Sequence, residues 1–458
     1  MSNTLSFEKG VFLLLILCMS AAASANNDAL LVLLKALHAD GTIDTATYEL
    51  VMQVATGGDD PQPVKETGSE SIREVVREEI AAAGNEQPAV NNRGKFTVES
   101  ADKDFSFRVG GRIQMDAATY SEDRLRHNDG TEIRRARLFA EGTLWQDWAY
   151  KLQYDFTAAG LDGIQDAYID YLGFENWEFR IGHFREPFSL QNMTSSKYTT
   201  FMERGLPYLF TPGRNLGAGI STGGKQWSFS AGVFGEGRDG SGKDNDEGFG
   251  TSGRFTFSPF MGESFASHLG LSASYRATGS EDGIRFRERP ESHVTDTRLV
   301  DTGSIDIDDY SRFAAEAALI YGPFSVAGEY YHTFLNRDIS SNPDLEFSGY
   351  YLEAGWFLTG ESMNYQASSG SFGKITPGHI AGKSGYGAWQ IAARLSNLDL
   401  TDEDITGGEI TDMTLGLNWF ATPNIRFTAN YVSVLEVDGG PAAGDNPDIF
   451  QIRTQVEF

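Results

Sequence analysis

From Trp148 onward the chain alternates without a break. Trp148, Tyr150, Leu152, Tyr154 and Phe156 fall on one side, and Ala149, Lys151, Gln153 and Asp155 on the other. Successive strand side chains point to opposite faces, so this is a strand with one aromatic face and one charged face. The preceding stretch repeats the pattern. Ala136, Leu138, Ala140, Gly142 and Leu144 oppose Arg135, Arg137, Phe139, Glu141 and Thr143, and the turn Trp145-Gln146-Asp147 joins the two runs. A soluble sandwich also alternates, but it seldom puts Lys, Asp, Glu and several Arg on a face shielded from bulk water. A transmembrane barrel does, with lipid outside and a wet lumen inside.

The pattern predicts strands along the whole stretch from Lys95 to Phe458. Phe105 to Tyr120 comes first, followed by the Arg134–Phe156 hairpin, Ile164 to Tyr171 and Trp177 to Phe184. After Pro187 the alternation lapses from Ser189 to about Leu216. That insert is too long for a hairpin loop, and its aromatics and defined turns predict an ordered segment folded inward. Strands resume at Trp227 and run to the terminal Phe450, Ile452, Val456 and Phe458, which share one face. The length suits 14 to 18 strands of about ten residues. Closing them into a barrel removes the exposed edges that so many strands would leave. Gly248-Phe249-Gly250-Thr251-Ser252-Gly253 matches a G-x-G-x-x-G string, but no helix follows it, so dinucleotide binding is not expected. His183 beside Arg185 and Glu186 reads as a strand-end residue rather than an acid–base group.

The chain before Lys95 has a different texture. Lys9, the apolar run Val11 to Met19 and Ala23-Ser24-Ala25 form a secretory signal over residues 1–25. Cys18 lies inside it, so the exported chain is expected to carry no cysteine, and hence no disulfide or thiolate metal site. Residues 26–94 predict short helices and a linker. Ala29 to Leu37 looks helical, Asp44 can cap a second helix, and Ser71-Ile72-Arg73-Glu74 has the form of a capping box. Ile72, Val76, Ile80 and Ala83 make a helical stripe suited to a short oligomeric coiled coil, and a loosely ordered appendage is the alternative.

Composition agrees with the pattern. Aromatics make up 12% of the chain and glycine contributes 51 residues, a mix suited to strands and turns. The formal net charge of −27 argues against nucleic acid as a partner. Its acidic groups concentrate in presumed loops, Asp239 to Glu247, Asp301 to Asp309 and Asp399 to Glu409, read as solvated or divalent-binding surface.

Several motifs agree in order and spacing with one family. Phe105-Ser106-Phe107-Arg108-Val109-Gly110-Gly111-Arg112, Arg134-Arg135, Thr194-Ser195-Ser196-Lys197, Glu203-Arg204, Leu358-Thr359-Gly360-Glu361-Ser362 and Leu415-Gly416-Leu417-Asn418-Trp419 carry the likeness. On these the chain resembles the phosphate-selective porins O and P of the bacterial outer membrane. The resemblance implies an all-β, 16-stranded, antiparallel transmembrane barrel, assembled as a homotrimer in outer-membrane lipid, with its third loop folded in. It implies a constriction at Arg112, Arg134 and Arg135, with Lys197 and Arg204 on or near the loop, and an arginine ladder at Arg285, Arg287 and Arg289, which Arg298 extends. Regular alternation cannot turn both Arg134 and Arg135 inward, so one is expected at a bulge or strand end. The solutes implied are small anions: phosphate, polyphosphate and chloride. No cofactor and no catalysis are implied. Guanidinium is always charged, and its fork of donors suits phosphate oxygens. Each such contact contributes about 1 kcal/mol in water-like surroundings and about 4 near a protein wall. The chain departs from the family at Gln165, where an acidic residue is usual, and at Asn192, where a lysine is usual. A general anion pore, a pore for another solute class, and a plugged structural or adhesive barrel are the alternatives.

Overall fold

The computed structural model describes residues 35, 38, 45, 89–91, 96–235, 247–279, 283–337 and 342–458. The signal segment and nearly all of the expected N-terminal helices and linker lie outside the described residues. Lys35, His38 and Thr45 are helical. Immediately before the barrel the expectation fails. Ala89–Asn91 is a strand, β1, paired antiparallel with β2 (Phe96–Glu99), which in turn pairs with the start of the barrel. Val90 pairs with Val98 in the register of this hairpin.

The barrel strands follow in order: β3 (Phe105–Ser121), β4 (Gly130–Leu144), β5 (Trp148–Asp155), β6 (Ile164–Phe174), β7 (Trp177–Arg185), β8 (Arg214–Gly223), β9 (Trp227–Gly235), β10 (Phe249–Phe257) and β11 (Phe265–Ala277). A small hairpin, β12 (Arg287–Glu288) and β13 (Val300–Asp301), precedes β14 (Asp309–Tyr321), β15 (Phe324–Asn336) and β16 (Leu345–Phe357). Another, β17 (Tyr365–Gln366) and β18 (Ser371–Phe372), precedes β19 (Ala388–Asp402), β20 (Ile405–Thr422), β21 (Ile425–Asp438) and β22 (Asp448–Glu457). Each barrel strand pairs antiparallel with the next, and β22 closes on β3 from Asp448↔Ser121 to Glu457↔Arg112. The closed sheet therefore has sixteen strands. The G-x-G-x-x-G string lies at the start of β10, inside the barrel wall.

Alternation divides the wall as the pattern requires. Phe105, Phe107, Val109, Ile113 and Met115 of β3 are exposed on the outside, as are Trp148, Leu152 and Phe156 at the first hairpin. The inner face buries Gln114, Asp116, Arg254, Glu316, Asn418 and Arg453. So many exposed apolar side chains suit hydrocarbon rather than water.

Most connections at one end are tight turns (145–147, 175–176, 322–323, 423–424), and most at the other are long loops. Among the described residues three long segments fold into the lumen. The loop 186–213 carries a one-turn helix, α1 (Leu190–Met193), and lies on the wall of β15 to β22. Glu329 accepts the N–H groups of Leu190 and Gln191 at 2.5 and 3.0 Å, and Ser189 Oγ accepts that of Asn192, so the orphan donors of this turn are satisfied. Further along, Met202 N donates to Asn430 and Leu206 N to Ser396. Pro207 reaches the wall because Gly349 leaves room; a Cβ there would lie 2.9 Å from Pro207. The loop 278–308 is held by Glu291 N donating to Asp412 and by Gln451 donating to Glu291 O. The segment 358–387 enters from the tight-turn end, a feature the sequence pattern did not predict. Arg254 donates to Gly370 O, and Phe372 N donates to Thr194 Oγ1. Met363, Phe372 and Ile375 of this segment join Leu190, Phe357 and Phe420 in one apolar cluster. A second cluster, including Phe188, Phe210, Phe286, Leu299 and Tyr331, locks the two upper loops together. Each buried Phe or Leu contributes about 1.5–3 kcal/mol, which suffices to hold these segments inside.

Candidate pore constriction

The first irregularity in the wall produces the first functional feature. Gln114 pairs with Arg135, but Met115 pairs with Ile133, so Arg134 is the extra residue of a bulge. The bulge turns Arg134 and Arg135 toward one carboxylate, Glu203 of the loop. Arg134 grips it with Nε at 2.9 Å and Nη2 at 3.0 Å, Arg135 lies 3.9 Å away, and Arg453 adds a contact at 2.7 Å. Burial raises the Glu203 pKa, but Arg134, Arg135 and Arg453 outweigh it and hold the carboxyl well below the usual range.

A second group of arginines is held differently. Arg112 donates to Ser195 Oγ at 3.3 Å. Arg185 donates to the carbonyls of Asn192 and Thr194. Arg204 donates to Gln191 O at 2.8 Å and Thr194 O at 2.9 Å, with its guanidinium 4.5 Å from the Tyr208 ring centre. All three converge on Thr194 and Ser195, and their partners here are neutral oxygens. Among the described residues none of the three has a carboxylate within 4.0 Å, while Arg112 is only 5% exposed. Tyr208 registers the excess charge. Burial raises its pKa, but Arg204, Arg185 and Arg214 overcome this and bring it down to about 8.

Two chambers meet at this trio. One, of about 200 Å³, lies between the two upper loops and is lined by Arg134, Arg135, Arg204, Arg289 and Arg298, with Glu203, Glu288, Glu291 and His293. The other, of about 530 Å³, opens toward the tight-turn end. Its wall supplies Arg108, Arg112, Arg137, Lys151, Arg180, Arg185 and Arg214, the loop adds Lys197, and the segment from the tight-turn end adds Lys374. Among the described residues three acidic side chains, Glu141, Asp166 and Glu457, share that lining. Aromatic rings order several of these cations. Arg180 lies 3.8 Å from the Tyr168 ring centre, and Arg108 and Lys151 lie over Phe139.

The residues singled out in the sequence are therefore distributed. Arg112 and Arg204 join the trio, and Arg134 and Arg135 line the upper chamber on Glu203. Lys197 lines the lower chamber, 3.1 Å from Glu457. Of the expected ladder, Arg289 and Arg298 line the upper chamber, and Arg289 donates to His293 O and Thr295 O. Arg285 and Arg287 stand further out; Arg285 is exposed and paired with Asp301 at 2.7 Å. Asn192 is wholly buried, with its side chain bonded to Glu186 O and the Tyr208 hydroxyl, so its amide does not serve the lumen. His183 is buried within β7. The sequence reading missed Arg185, Arg214, Arg180 and Lys374. Arg137 and Lys151 carried a usable signal, since they share the lumen parity of Arg135 and Asp155.

A closed sixteen-stranded barrel with loops folded into a basic lumen is the architecture of a porin. The chain belongs to the phosphate-selective porin O and P family, whose model matches residues 107–458. It is 27% identical over 412 residues to Porin O of Pseudomonas aeruginosa, covering 81% of this chain and 92% of that protein. It is 29% identical over 343 residues to an uncharacterized protein of Caulobacter vibrioides, covering 72% and 68%. The solved structure of a loop L8 deletion mutant of OmpT, an outer membrane protein of Vibrio cholerae, shares the fold, with a TM-score of 0.50 at 13% identity, covering 78% of this chain and all of that one. The protein is a porin of the bacterial outer membrane.

Proposed function

We propose that this porin passes small anions by diffusion, with phosphate the leading solute and polyphosphate and chloride also carried, and that it works as a homotrimer after export by residues 1–25. One observation carries the reading: Arg112, Arg185 and Arg204 converge on Thr194 and Ser195, and among the described residues none of them has a carboxylate within 4.0 Å. A buried cation with only neutral partners is costly and is kept where its charge is used. An anion entering from the upper chamber exchanges water for guanidinium donors, first near Arg289 and Arg298, then at the trio. It leaves through the wider lower chamber, where many modest sites replace one deep one, as conduction requires. Ser195, already bonded to Arg112, adds a hydroxyl at the narrow point.

Asn192 favours a second reading. Because its amide is committed inside the loop, the constriction lacks the lysine usual at this position, and selectivity extends to anions in general. The deciding measurement is the reversal potential of the purified protein in a planar bilayer across a potassium chloride gradient, repeated with phosphate. Anion preference with phosphate blocking chloride current is expected. Anion preference without that block supports the broader pore, and cation preference overturns both readings.

A further inference from the structure

The lower chamber contains more than an inorganic anion requires. Orthophosphate takes mostly donors, with only one or two P–OH groups to give, and the trio already supplies donors. Beyond the trio the cavity reaches about 530 Å³, within the range of sites for whole organic ligands. It also presents acceptors. The side chains of Gln153 on β5 and of Asn364 and Gln366 on the segment from the tight-turn end line it, together with Glu141 and Asp166. Carboxylate and amide oxygens repel phosphate oxygens but accept from hydroxyl groups, and the same amides also donate to them. The lining thus combines cations with neutral hydroxyl-binding groups.

Resting on the anion-pore reading, we propose that the lower chamber is a binding site for phosphate esters with a hydroxylated body, the class of the sugar phosphates. Arg112, Arg185 and Arg214 take the phosphate group. Gln153, Asn364 and Gln366 take the hydroxyls. The ligand is held in passage rather than trapped, because each hydrogen bond to a neutral group largely replaces one to water.

The test uses the full-length purified protein in planar bilayers at low chloride. Glucose 6-phosphate, methyl phosphate and free glucose are added in turn to each side. From the more sensitive side, glucose 6-phosphate is expected to block chloride current at about tenfold lower concentration than methyl phosphate, and glucose is expected not to block. Equal half-blocking concentrations for the two esters overturn the proposal, as does equal block by glucose. The double variant Asn364→Ala/Gln366→Ala should bring glucose 6-phosphate to the value of methyl phosphate, whose own block stays unchanged. Gln153→Ala on the barrel wall provides an independent check should the double variant misfold. Full retention of the difference in folded variants overturns the proposal. The reversal potential is recorded first. Cation preference there removes the anion-pore reading itself, whereas anion preference with equal ester block removes only the sugar-phosphate site.

Discussion

Arginines line the lumen on both sides of this barrel, and the two sides hold most of them differently. Along β10 to β22, beneath the folded loops, four buried arginines each meet a carboxylate, while Arg426 is held by Thr199 O, Thr200 O and Asn418 Oδ1. Arg254 pairs with Glu316 at 2.6 Å, Arg276 with Glu186, Arg394 with Glu291, and Arg453 with Asp116 at 2.6 Å. Along β3 to β8 several paired arginines, Arg137 with Asp155, Arg180 with Asp170 and Arg214 with Asp166, are more open to the cavity, although Arg135 beside Glu203 is not. Arg112 and Arg185, with Arg204 from the loop, have neutral oxygens alone. The difference follows from hydration. A guanidinium sealed under packed loops is costly unless a carboxylate, or for Arg426 three neutral oxygens, meets it. One that borders a water-filled chamber can keep its charge for a passing anion.

Removing the arginine from a sealed pair gives the largest expected effect. Arg394→Ala leaves Glu291 and Glu353 without their cation and should cost about 3–5 kcal/mol, read as a lower denaturant midpoint of the barrel in detergent. Arg112→Gln, by contrast, strands no carboxylate and should leave that midpoint unchanged or raised. If both variants destabilise alike, the two walls do not differ.

Neutralising the trio comes next. Replacing Arg112, Arg185 and Arg204 by glutamine together should lower the anion-over-cation permeability ratio by about tenfold or more, taking about 1 kcal/mol per contact. The same number of glutamines at sealed arginines should change folding before selectivity.

A smaller effect sharpens the electrostatic side of the comparison. The Tyr208 pKa is lowered to about 8, so its phenolate forms as pH rises through that value and cancels one positive charge beside the trio. Anion preference should therefore decline between about pH 7 and 9, while an unperturbed phenol near pH 10 would not respond there. Tyr208→Phe should remove the decline.

The smallest effect belongs to the outermost arginine. Arg285 is solvent-exposed and already paired with Asp301, so Arg285→Gln should barely alter conductance at physiological salt, where exposed charges are screened. A large loss would extend the conducting set of arginines to the mouth.

Much of this was legible along the chain. The period of two predicted the strands, their lipid face and the inward parity of Arg135, Arg137 and Lys151. The clash between that period and the Arg134-Arg135 doublet announced a bulge, and the register of Gln114 and Met115 shows it at Arg134. The lapse after Pro187 announced a folded-in loop. A similar lapse between Leu358 and Ala388 did not announce its direction, because the inward turn of 358–387 depends on apolar contacts with Leu190 and Phe420, far away in the chain. Arg185 ends its strand, where alternation no longer dictates direction, and only Asn192 and Thr194 orient it.

The sequence by itself determined what depends on neighbours a few residues apart: strand or loop, lipid face or lumen face, charge or none. The tertiary structure alone decided which lumen charges are cancelled. Arg453 finds Asp116 across 337 residues and Arg394 finds Glu291 across 103. Those meetings depend on barrel closure and on where each loop comes to rest, and both follow from packing that no local period encodes.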